Sequence, residues 1–96
     1  MFGLTSQMRR AAVSVTSNIV EGCARQSQAE YVRFLEIAYG SLRELHYQYS
    51  LADRLGYLME INKDEFETKF IETEKVIGGL IRALRKGNTV TDHQRP

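Results

Sequence analysis

Proline is almost missing from this chain: the single one is Pro96, the last residue. Nothing from Met1 to Arg95 carries the ring that removes a backbone donor and breaks a helix. Tryptophan is absent, and Cys23 is the only cysteine. A lone cysteine cannot close an internal disulfide, so a reducing compartment is indicated and the protein is expected to be cytoplasmic. No apolar run approaches the ~20 residues that cross a bilayer, so no membrane partner is expected. Met1 to Arg10 lacks the apolar stretch of a signal peptide. Excess charge of one sign is lacking too. The formal net charge is +1, so any binding to nucleic acid needs a local patch rather than the field of the whole chain.

Catalytic chemistry is equally scarce. His46 and His93 are the only histidines. No cysteine/histidine spacing suggests zinc, and no glycine-rich phosphate loop is present. Glu21 and Glu30 do not form an acid/base pair. The chain is therefore expected to be no enzyme, with no metal, no cofactor and no small-molecule substrate. His46 is expected to pack with a hydrogen bond, and Cys23 to be a small buried hydrophobe.

What remains is helix. The 96 residues suit one domain, and 43% hydrophobic with 26% charged residues is an ordinary globular balance. Apolar/polar alternation between turn residues is not found, so strands are not indicated. The spacing predicts an all-α, up-down antiparallel bundle over residues 1–87, with helices at about 5–22, 28–55 and 62–86, and a disordered polar tail at 88–96. In the first helix, Thr5 or Ser6 offers a cap, and Met8, Ala12, Val15, Ile19 and Cys23 share one face. Ser27 to Glu30 fits a capping box, and Tyr31, Leu35, Ala38, Leu42, Leu45, Tyr49 and Ala52 follow as a heptad seam. Gly56 suits a left-handed helix stop. Asn62 caps the third helix, whose stripe is Phe66, Phe70, Thr73, Ile77, Leu80 and Leu84, and Gly87 ends it.

Apolar residues exceed what one core can use. Val13 and Val20 lie off the first stripe, and Ile37, Tyr47 and Leu51 lie opposite the second seam around Gly40. Ile71 and Val76 lie off the third stripe. Second apolar faces point to an oligomer interface formed by Val13, Val20, Ile37, Gly40, Tyr47 and Leu51. Mid-helix glycine costs about 1 kcal/mol relative to alanine, so Gly40 and the pair Gly78–Gly79 call for the close approach of another helix. Arg9, Arg10 and Arg25 face only Glu21 within Met1 to Gln28. With Arg33 they are the candidate nucleic-acid contacts, because arginine holds phosphate. Arg10, Ser14, Ser17, Glu21 and Arg25 fall on the side opposite the apolar stripe.

Four blocks carry a resemblance: FGLTSQMRRAAVSVTSNIVEG (Phe2 to Gly22), RFLEIAYGSLREL (Arg33 to Leu45), RLGYL (Arg54 to Leu58) and GLIRALRK (Gly79 to Lys86). In this order they resemble the bacterial four-helix bundle proteins, also called 23S ribosomal RNA intervening-sequence proteins. The resemblance implies a homopentamer with a central channel and no enzymatic activity. It also implies a link to diversity-generating retroelements, whose accessory relatives bind a reverse transcriptase and nucleic acid, RNA or DNA. It further implies another helix before FGLTSQ, so that this chain corresponds to three helices of four and leaves an apolar groove uncovered. Thr16 stands where the family usually has proline. The alternative expectation is a protein–protein interaction module with no nucleic-acid role.

Overall fold

The computed structural model describes residues 2–58 and 63–86 and contains three helices: α1 (Phe2–Cys23), α2 (Gln28–Arg54) and α3 (Lys63–Lys86). No strand occurs among the described residues. The cap expected at Asn62, the stop at Gly87 and the tail 88–96 lie outside them.

Helix α2 is the centre of the fold. Ser27 is extended, and its hydroxyl accepts the backbone N–H of Glu30 at 3.3 Å, as the capping box requires. Ser27→Ala is expected to cost about 1 kcal/mol, read as a lower thermal midpoint at fixed protein concentration; an unchanged midpoint would show the cap to be dispensable. At the other end Gly56 adopts φ 78°, the left-handed conformation that stops a helix. Between these ends Leu35, Ala38, Leu42 and Ala52 are buried, with Tyr31, Leu45 and Tyr49 half-buried beside them.

The other helices run antiparallel to α2. Ser14 meets Ser41, and Gly22 meets Phe34 and Tyr31, so α1 descends as α2 rises. Glu67 and Glu74 reach His46, while the Leu84 carbonyl accepts from the side chain of Gln28 at the far end. Side chains of α2 that meet α1 (Phe34, Ser41) and those that meet α3 (Tyr39, His46) lie about 140° apart around the helix at 3.6 residues per turn. Hence α1 and α3 each line one side of α2 and barely meet one another. The core of Leu35, Leu42, Ile77 and Ile81 sits in this angle, with Val15, Ile19, Phe70 and Leu84 packed against it.

Two stripes are corrected by this packing. Helix α1 begins at Phe2, so Thr5 and Ser6 lie inside it and do not cap it. Its buried side chain is Ala11, whereas Ala12 and Cys23 are exposed. The cause is small residues: Ala11, Ser14 and Gly22 let α1 approach α2 closely, and the Ser14 and Ser41 hydroxyls share a 2.7 Å hydrogen bond. The greasier line of Met8 and Ile19 is turned toward the open angle. Thr16 leaves the helix unbroken, its hydroxyl donating back to the Ala12 and Val13 carbonyls. On α3, Ile81 is buried in place of Leu80, and Phe66 and Thr73 are exposed. None of the described helices is long and apolar enough to cross a membrane.

Candidate functional site

The wheel positions expected to form a second apolar face are open to solvent. Val13, Ile37 and Tyr47 are exposed, and Val20 keeps 67% of its accessible surface. Leu51 is half-buried, and Gly40 is exposed with nothing within 4 Å of where a Cβ would stand. The close helix approach that would explain Gly40 is thus not made among the described residues. Gly78 does have such a neighbour, the Tyr39 ring, 3.6 Å from its would-be Cβ.

These residues form two faces, not one. Val13 and Val20 lie on the side of α1 turned away from α2, because Ala11, Ser14 and Gly22 face α2. Ile37, Gly40 and Tyr47 lie on the side of α2 turned away from the Leu35–Leu42 seam. Between the two runs a polar groove of about 420 Å³, lined by Gln7, Arg10, Ser14, Ser41, Glu44 and Gln48. An apolar groove of about 430 Å³ opens at one end of the α1–α2 pair, lined by Leu4, Met8, Ala52, Tyr57 and Leu58.

The arginines do not converge. Arg9 borders the apolar end groove, while its neighbour Arg10 lines the polar one and donates to Ser6 at 3.4 Å. Arg25 lies about four helical turns away, just past the end of α1. It pairs with Glu21 at 2.6 Å, and its guanidinium lies 5.0 Å from the centre of the Phe34 ring. Arg33 is exposed near that same end. Two pairs at opposite ends replace the single expected patch. Ser14 lines the polar groove with Arg10 and is half-buried, its hydroxyl sharing a hydrogen bond with Ser41 and accepting from the Asn18 side-chain amide.

Titratable groups cluster elsewhere, between α2 and α3. His46 stacks on Phe70 with ring centres 4.6 Å apart. Its Nδ1 lies 2.6 Å from Glu74 Oε2 and its Nε2 lies 2.5 Å from Glu67 Oε2. Burial alone would lower the pKa of the ring. The hydrogen bonds and negative charge of Glu74 and Glu67 outweigh burial and hold it above the ordinary 6.5. The expected hydrogen-bonded packing role is therefore present, with two acidic partners that the sequence reading did not name. Cys23, expected to be buried, is exposed. It sits at the last residue of α1, on the side turned from α2. No group of three His, Cys, Asp or Glu among the described residues could hold a metal ion.

A chain with these blocks, and with three helices among its described residues, can be set against known families. The family model of the 23S rRNA-intervening sequence proteins matches residues 1–79. The chain belongs to that family. Comparison with curated proteins finds no match. For a 23S rRNA-intervening sequence protein the matched region covers all of α1 and α2 and most of α3, hence both exposed apolar faces and the His46 cluster. Sequence reading missed two further residues of this family member. Gly22, read only as a helix end, is buried, and a Cβ there would stand 3.0 Å from both Phe34 Cβ and Tyr31 Cδ1. Gln28, read only as part of a cap, is buried and donates to the Leu84 carbonyl at 2.9 Å, near the end of α3. Its placement next to the capping serine was the available signal.

Proposed function

We propose that this 23S rRNA-intervening sequence protein is a non-enzymatic, cytoplasmic scaffold. It assembles with copies of itself and binds RNA or DNA, alone or with a reverse transcriptase. The observation that carries the self-assembly is the pair of separate exposed apolar faces, Val13/Val20 on α1 and Ile37/Gly40/Tyr47 on α2. Soluble chains rarely leave such patches without use. Two unlike faces on one chain suit a heterologous contact, in which the α2 face of one copy meets the α1 face of the next. Repeated rotation then closes a ring, and the family resemblance supports a pentamer. Light scattering of the parent, Val20→Glu and Tyr47→Glu tests this. The parent is expected to be oligomeric and each variant to shift toward monomer; a parent that stays monomeric at high concentration overturns the assembly.

Nucleic-acid binding rests on Arg9, Arg10, Arg25 and Arg33, which a ring would present in several copies. Such binding weakens with salt, and each phosphate contact removed lowers the log–log salt slope by about one. Arg9→Ala/Arg10→Ala is therefore expected to bind short single-stranded RNA and DNA more weakly and with a shallower slope in filter binding. Binding equal to the parent removes these residues from the contact. The apolar end groove of Leu4, Met8, Ala52, Tyr57 and Leu58 favours a second reading, a module that takes a helix of a protein partner. That reading expects no salt-dependent retention of nucleic acid by the parent.

A further inference from the structure

We propose that His46, held between Glu67 and Glu74, is a proton-operated clasp that fastens α3 to α2 when the ring is charged and loosens it when the ring is neutral. Each ring nitrogen meets a carboxylate oxygen, at 2.6 Å for Nδ1 and 2.5 Å for Nε2. Carboxylates only accept, so both nitrogens must donate, and only the imidazolium has two N–H groups. Loss of one proton to solvent leaves a nitrogen lone pair facing a carboxylate oxygen at hydrogen-bond distance. That contact is repulsive, and one carboxylate then lacks its donor.

The charged groups around the ring agree. From α3 come Glu67 and Glu74. From α2 comes Arg43, whose guanidinium is 3.8 Å from Glu74 Oε1. Among the described residues, the hydrogen bonds and ion pairs of the cluster all come from α2 and α3. Two cations and two anions balance only while His46 is protonated. The Phe70 ring on the face of His46 is neutral, and Tyr49 also lies against Phe70 with ring centres 5.3 Å apart. The side chain of His46 remains 18% accessible, so protons exchange with solvent without opening the fold.

The direction follows from linkage. A ring whose folded pKa lies above 6.5 stabilises docking fully below 6.5 and stops doing so as pH rises through the folded value. Opening of α3 should rise tenfold for each unit by which that value exceeds 6.5. The test uses the full chain carrying His93→Gln, so that a single histidine ring reports in NMR, together with amide exchange corrected for intrinsic rates. The ring is expected to titrate above 6.5. Protection of α3 amides should fall between 6.5 and that midpoint and level off above it, while α1 amides keep theirs. Glu67→Gln and Glu74→Gln should each move the midpoint toward 6.5 and flatten the α3 response. Because Glu67 is 45% accessible, its variant tests the idea even where Glu74→Gln does not fold. A ring midpoint at or below 6.5, or α3 protection that ignores pH in the parent, overturns the proposal.

Discussion

Leu35→Ala is expected to destabilise the fold by about 2–5 kcal/mol, the cost of deleting a buried leucine and leaving part of its volume empty. Leu35 keeps only 2% of its surface and sits where α1 and α3 converge on α2. Of the buried hydrophobic residues, Ala11, Ala38 and Ala52 contribute little area, so Leu35, Leu42, Ile77 and Ile81 carry the core. Domains have about 5–15 kcal/mol in total, and short chains lie toward the lower end. One such substitution therefore removes a large part of the margin. Urea unfolding should show an earlier midpoint at fixed protein concentration, a condition that matters because assembly itself adds apparent stability. Val13→Ala, on an exposed face, should change chain stability by no more than about 0.5 kcal/mol. A Leu35→Ala chain as stable as its parent would mean that the α2 seam is not the core.

Helix α2 was legible in the sequence almost residue by residue. Ser27, the heptad seam and Gly56 each carry a signal tied to one backbone requirement, and the structure meets all three. Helix α1 was less legible because hydropathy weighs side chains by greasiness, whereas α1 meets α2 through small ones. Ser14 and Gly22 score poorly as core and yet form the contact; Cys23 scores well and is exposed, and Ala11 and Ala12, equal in hydropathy, are buried and exposed respectively. The outward faces were readable from the wheel, since Val13, Val20, Ile37 and Tyr47 need only a helical period to be placed. Their separation into two faces was not, because it depends on how α1 is rotated against α2. The arginines separate for a related reason. Adjacent residues on a helix point about 100° apart, so Arg9 and Arg10 reach different grooves. The partners of His46 lie 21 and 28 residues away, beyond any local motif. The seven-residue spacing of Glu67 and Glu74, which puts both on one side of α3, was the one available hint.

Two glycines separate packing within the chain from packing between chains. Gly22→Val should be strongly destabilising. A Cβ at Gly22 stands 3.0 Å from Phe34 Cβ and Tyr31 Cδ1, and the first of these is anchored to the α2 backbone and cannot swing aside. Overpacking of this kind costs about 1–3 kcal/mol, against a gain in helix propensity well under 1 kcal/mol for valine over glycine. Even Gly22→Ala, which gains about 1 kcal/mol of propensity, meets the same two atoms and should not stabilise. Gly40 is the opposite case: its would-be Cβ points into open space, so Gly40→Ala should raise the stability of the isolated chain by about that same amount. If Gly40 is bare because a second helix lies against it, the same methyl should weaken assembly. The expected pattern is a lower urea midpoint for Gly22→Val and, for Gly40→Ala, a higher midpoint under dissociating conditions with less oligomer in light scattering. Gly40→Ala that stabilises the chain and leaves the oligomer intact would remove Gly40 from the subunit contact. Gly22→Val with an unchanged midpoint would show that α1 does not approach α2 as closely as Ser14 and Ser41 imply.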